Sequence, residues 1–205
     1  MPAAFEWLSV PPIITMKRLS IAILAGLFPL MVQAEAPASF NGMAGIEFGS
    51  TVDQVKAAMD SRGAGLDANE STSAHLEYKG GTFNNDSVGY WHFYFADGKL
   101  YKASVAFFPP DRQHLAFYDQ VKKAISDKYG EPFQQTKIDM DPTDLFDLIQ
   151  SGKADLEADW RILLPSSHSI SCRMFDREGG SVMIRVTYQD DVVAAQLSDK
   201  EAHDF

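Results

Sequence analysis

One cysteine in 205 residues, Cys172, excludes an internal disulfide, a CxxC redox pair and a cysteine-built zinc cluster. Basic residues are scarce as well: 18 Lys and Arg stand against 28 Asp and Glu, for a net charge of −10 and a pI near 4.8. A chain that repels phosphate overall is a poor non-specific binder of nucleic acid, and that class is set aside. The short signatures of catalysis are missing too, with no Walker loop, GxGxxG, GxSxG elbow or HExxH. His75, His92, His114, His168 and His203 stand apart without metal-ligand spacing, and Asp139, Asp141 and Asp144 lack the glycine and distal glutamate of a calcium loop. From the residues alone neither metal nor cofactor is expected, and binding is favoured over catalysis.

Apolar material is plentiful. With 45% hydrophobic and 12% aromatic residues the chain can bury a sizeable core, which excludes intrinsic disorder. Met16-Lys17-Arg18-Leu19 opens a charged segment followed by the apolar run Ile21 to Val32, and Val32-Gln33-Ala34 supplies small residues for cleavage. This reads as a secretory signal peptide over 16–34, cut after Ala34, with Ala36 the alternative. The run is broken by Gly26 and Pro29 and is short for a bilayer span, so no membrane span is expected after cleavage. Residues 1–15 lie upstream of a complete signal and read as a mis-called start, with Met16 as initiator. The mature domain, 35–205, has 171 residues and a net charge of −11, because the leader removes Lys17, Arg18 and Glu6. An acidic exported domain without disulfides fits the Gram-negative periplasm, or secretion.

The mature sequence reads as an α+β fold, with antiparallel meanders packed on two main helices. Ser50 precedes Val52, Val55 and Met59 at helical spacing, with Asp53 three residues on, which predicts a helix over 51–62 capped by Ser50. Leu115, Tyr118, Val121, Ile125 and Tyr129 predict a second helix over 111–129, opened by Asp111 and closed by Gly130. Asp141-Pro142 opens a short acidic helix. Strands are expected at 76–79, 89–95, 100–107, 133–138, 157–164, 169–175 and 181–188. Asp53-Gln54-Val55-Lys56-Ala57-Ala58 is echoed by Asp119-Gln120-Val121-Lys122-Lys123-Ala124. The echo is either a tandem α-β repeat, 45–108 and 111–190, or a coincidence between two amphipathic helices.

The opening Gly45-Ile46-Glu47-Phe48-Gly49-Ser50-Thr51-Val52-Asp53-Gln54-Val55-Lys56 resembles exported bacterial modules of the beta-lactamase-inhibitor-protein type and the related small outer-membrane assembly lipoproteins. The resemblance implies helix-plus-antiparallel-sheet units that bind other proteins. The chain departs from both groups, lacking the lipidated cysteine of one and the paired disulfide cysteines of the other.

Strand alternation then sorts the side chains. A three-residue loop Ala96-Asp97-Gly98 would pair Phe93 with Tyr101 and Trp91 with Ala103, forming one apolar face. Tyr90, His92, Tyr94, Lys102 and Ser104 then occupy the other face, a set suited to half-exposure. In the last three strands Trp160, Ile170, Cys172, Met174, Ile184 and Val186 point to the core, while Arg161, Arg173 and Arg185 point away. A three-residue loop at Glu178-Gly179-Gly180 sets Arg173 opposite Arg185, and either these are ordinary surface arginines neutralised by nearby carboxylates or Arg161, Arg173 and Arg185 form one basic strip that attracts an acidic group. The leading expectation is an exported binding or inhibitory module using this face for a protein or envelope ligand. The alternatives are a small hydrolase with loop-borne groups such as His92 or His168, and a carrier of an apolar small molecule held between sheet and helix.

Overall fold

Thr51, rather than Ser50, starts the first helix. Its hydroxyl accepts the Gln54 N–H while the Gln54 side chain accepts the Thr51 N–H at 2.8 Å, a capping box one residue beyond the expected Ser50–Asp53 pair. The computed structural model describes residues 40–110, 113–137, 139–162, 167–177 and 181–203, all within one compact unit, Ala36–Phe205. The leader (16–34), the segment 1–15, the Asp111 cap and the 178–180 loop lie outside the described residues.

The first half of the fold runs β1 (Gly42–Met43), β2 (Ile46–Glu47), α1 (Val52–Asp60), β3 (Gly65–Leu66), β4 (His75–Lys79), β5 (Thr82–Phe83), β6 (Asp86–Ser87), β7 (Tyr90–Ala96) and β8 (Lys99–Phe107). The second runs α2 (His114–Tyr129), β9 (Gln134–Gln135), α3 (Pro142–Gln150), β10 (Leu156–Ile162), β11 (His168–Arg177), β12 (Ser181–Asp190) and α4 (Asp191–His203). Helix α2 starts three residues after the expected 111, at a Gln113 cap that makes no side-chain hydrogen bond. Helix α3 starts as the sequence dictates, with the Asp141 carboxylate accepting the Thr143 N–H at 2.8 Å and Pro142 in the first turn, where its missing N–H costs nothing. The tail beyond Asp190, for which the pattern predicts no element, forms α4.

The result is an α+β fold built on one eight-stranded antiparallel sheet in the order β3-β4-β7-β8-β12-β11-β10-β9. Each half contributes a helix followed by four of these strands, and the last strand of each half, β8 and β12, meet at the centre. One sheet face forms the core. Trp91, Phe93, Trp160, Ile170, Cys172 and Met174 are buried there with Val55 and Met59 of α1, Tyr118 and Ile125 of α2, and Leu145 and Ile149 of α3. Both buried indoles are satisfied, Trp91 donating to the Gly80 carbonyl at 2.9 Å and Trp160 to that of Gly130 at 2.8 Å. Among the described residues no helix is long and apolar enough to cross a membrane.

The β7–β8 hairpin corrects the expected register. Ala96 pairs with Lys99, so the loop is the two-residue Asp97-Gly98, with φ of 49° and 72°. Positive φ at both positions is the type I′ turn, whose twist matches that of the strands. A bulge follows, in which Tyr94 pairs with Lys102 and Phe95 with Leu100, leaving Tyr101 as the extra residue. Beyond it Phe93 faces Ala103 and Trp91 faces Val105, two positions from the expected Tyr101 and Ala103. A two-residue displacement leaves every side chain on its face, so the sorting of faces stands although the pairings do not.

Candidate functional site

The sheet face opposite the core is ordered into three rows by the registers of six strands, β4, β7, β8, β12, β11 and β10. Its middle row reads Glu77, His92, Ser104, Thr187, Ser171, Asp159. One flank reads Lys79, Tyr90, Ala106, Arg185, Arg173, Glu157, and the other His75, Tyr94, Lys102, Gln189, Ser169, Arg161. The two central strands carry Ser104, Ala106 and Thr187, small side chains that form the low middle of the face, its trough, with Ser104 and Ala106 covered over by taller neighbours at 2% and 0% exposed. Rings wall it on the β7 side and charges on the β10 side. Helix α4 begins at one end, where the Asp191 carboxylate accepts from the Ser169 hydroxyl at 2.6 Å and the Gln189 amide at 3.2 Å.

Tyr90, His92, Tyr94, Lys102 and Ser104 are thus brought together as the alternation implied, although Ser104 is buried rather than half-exposed. Rings stack along the wall: His75 on Tyr94 at 4.7 Å, His92 with Tyr94 at 6.4 Å and Tyr90 with His92 at 6.3 Å between centroids. Lys102 lies 4.8 Å over the Tyr94 ring and Arg177 lies 5.1 Å over that of Tyr90. Burial, followed by the positive charges of Arg185, His75, Arg177 and Lys102, pushes the His92 pKa down to about 4. At neutral pH His92 is therefore uncharged, and its 3.5 Å approach to Glu77 is not an ion pair.

The arginine strip does not form as a line of three. Arg173 and Arg185 do stand opposite each other, but the β10 neighbour of Arg173 is Glu157. Arg161 pairs with Ser169, four residues along and about 13 Å away at strand rise, with its guanidinium 4.5 Å over the Phe133 ring. The reason is stagger: outward positions on consecutive strands align only where the register makes them opposite. Arg173 is held by Asp155 and lies 3.5 Å from Glu157. Arg185 has neither. It lies 5.1 Å over the Phe175 ring, its Nε is buried without a hydrogen-bond partner among the described residues, and burial holds its pKa below the usual guanidinium range.

The hydrolase alternative asks for His92 or His168 beside a carboxylate, and each has one nearby, Glu77 at 3.5 Å and Asp190 at 3.8 Å. Cys172 is fully buried on the core face, where desolvation pushes its thiol pKa far up, whereas His92 lies on the opposite face. His168 is buried with Nδ1 2.8 Å from the Phe40 carbonyl, among the Phe40 and Phe48 rings. On the core side an open cleft of about 550 Å³ separates α2 from the sheet, lined in part by Phe40, Ile46, Phe107, Ile125, Tyr129 and Tyr188.

Sequence reasoning missed His75, Glu77 and Arg177 as members of the trough. The signal was present in His75-Leu76-Glu77-Tyr78-Lys79, where Leu76 and Tyr78 are buried and the alternate positions must face the other way. The histidines, isolated in sequence, are not isolated in the fold: His75 Nε2 lies 3.2 Å from His92 Nδ1. Compared with protein-family models, curated proteins and solved structures, the chain matches none.

Proposed function

We propose that this is an exported binding module, residing in the periplasm, whose trough face takes an anionic group of a protein or envelope ligand. The observation that carries the reading is Arg185, a half-buried guanidinium whose Nε has no partner among the described residues. A buried donor without an acceptor costs about 1–3 kcal/mol, and a carboxylate or phosphate beside Arg185 would recover it. Tyr90, Tyr94 and Arg177 beside it are the residue types that dominate interface hot spots. A binding role is also what the resemblance to the inhibitor-type modules implies, and the leader-like segment over 16–34 supports export.

The test is a titration of isotopically labelled protein with a glutamate-rich peptide and with inorganic phosphate, following the Arg185 Nε–H resonance. Saturable shifts centred on Arg185, Thr187 and Tyr94, lost in Arg185→Ala, are expected. Shifts that are absent, or that persist in Arg185→Ala, overturn the reading.

The cleft between α2 and the sheet favours a second reading, a carrier of an apolar small molecule with a polar end, because a volume near 550 Å³ is lined by the rings of Phe40 and Phe107 together with polar Asn84, Gln120 and Lys128. Native mass spectrometry of freshly purified protein tests it, an added mass lost on denaturation being the supporting result.

A further inference from the structure

Glu77 and His92 face each other across β4 and β7, and His75 stands two residues from Glu77 on the same face of its strand. Their ligand atoms converge: His75 Nε2 to His92 Nδ1 is 3.2 Å, His92 Nδ1 to Glu77 Oε2 is 3.5 Å, and all three lie within 4.8 Å of one another. We propose that His75, Glu77 and His92 form a three-ligand site for a divalent transition-metal ion of the zinc type.

The argument is one of unmatched lone pairs. His75 Nε2, His92 Nδ1 and a Glu77 oxygen meet in a region where the His92 and Glu77 side chains are only 17% and 12% exposed. If His75 donates to His92, the His92 lone pair is used and the Glu77 oxygen faces a nitrogen with no proton to offer. If His92 donates instead, His75 and Glu77 compete for one proton. In either tautomer three electron-rich atoms share a single hydrogen, whereas one cation satisfies all three. The spacing fits such an ion: bonds of about 2.0–2.1 Å in tetrahedral geometry put ligand atoms about 3.3 Å apart. Two of the contacts already match, and the third lies within 4.8 Å.

Ligand chemistry sets the class of ion. Two imidazoles and one carboxylate suit zinc, cobalt(II) or nickel(II), while calcium and magnesium prefer a shell of oxygens. The nearby charges of Arg185, Arg177 and Lys102 oppose a dication. Micromolar affinity is therefore expected rather than the tighter binding of closed structural sites. Three protein ligands leave a fourth position open to water or to an anionic group in the trough.

The test uses tag-free protein stripped with chelator, titrated calorimetrically with zinc chloride and followed with cobalt(II) by visible absorption. One equivalent bound, with the intense d–d bands of low-coordinate cobalt, is expected. His75→Phe and His92→Phe keep the ring stack on Tyr94 while removing the nitrogens, and each should weaken zinc at least tenfold at an unchanged metal-free melting temperature. Arg185→Ala should bind zinc at least as well as wild type, which separates this site from the anion reading. Binding absent at millimolar zinc, or unchanged in the His75→Phe/His92→Phe double variant, overturns the proposal.

Discussion

Arg173 and Arg185 stand directly opposite each other on β11 and β12, and among the described residues only Arg173 is met by carboxylates. Like charges so placed destabilise a ladder, and the sheet relieves one of them through Asp155 and Glu157. Both guanidiniums also lie over the Phe175 ring, at 5.5 and 5.1 Å. The relief is unequal, and Arg185 is left with its Nε desolvated.

Replacing Arg185 by an apolar side chain of similar length should therefore stabilise the fold. Arg185→Met removes a like-charge contact and an unpaired buried donor, and its expected effect is a gain of about 0.5–1 kcal/mol in urea unfolding. Arg173→Met, which breaks exposed pairs, should lose about 0–1 kcal/mol. The opposite order would mean that Arg185 is held by partners in the fold and is not waiting for a ligand.

The β7–β8 turn should be intolerant at one position and indifferent at the next. Gly98 has a φ of 72°, so Gly98→Ala should cost about 1–2 kcal/mol. Asp97, at 49°, is already a residue that accepts this region, and Asp97→Asn should leave the urea midpoint within experimental error.

Cys172 should behave as a core hydrophobe. The native thiol should resist Ellman's reagent for hours and react at once in denaturant, because burial keeps it protonated and shielded. Cys172→Ser sets a hydroxyl among apolar neighbours, at a cost of about 1–3 kcal/mol.

Asp159 gives a pH-dependent expectation. Burial, and then the charge of Glu157, raises its pKa above the ordinary carboxylate value, against the opposing pull of Arg161 and Arg173. The folded state thus holds this proton more tightly than the unfolded chain, and the ionised form weakens folding at neutral pH. Asp159→Asn should melt higher than wild type at pH 7, and the difference should begin to shrink as pH falls to the raised pKa and vanish only below the ordinary carboxylate value. A variant that melts lower at pH 7 would refute that sign.

Much of this molecule was legible from local pattern. Helical spacing located α1 and α2, the Asp141-Pro142 start located α3, and period-two alternation assigned Trp91, Phe93, Ile170 and Cys172 to one face and Tyr90, His92, Tyr94 and Arg185 to the other. Such signals survive without tertiary knowledge because helix and strand periods are properties of the backbone itself. The face assignment even survived a wrong hairpin loop, since the bulge at Tyr101 displaced the pairing by two residues and not by one.

What tertiary structure alone decided is adjacency across strands. Which outward residues become neighbours depends on bulges and stagger summed over several ladders, and no window along the chain contains that sum. Arg161 therefore stands four residues away from Arg173's row, while His75 and His92, separated by 17 positions and a small hairpin, bring two ring nitrogens together beside Glu77. Composition determined that the chain would fold, and strand alternation that its cysteine would be buried. The meeting of a relieved and an unrelieved arginine, and of two histidines with a carboxylate, followed from register, which long-range pairing fixes.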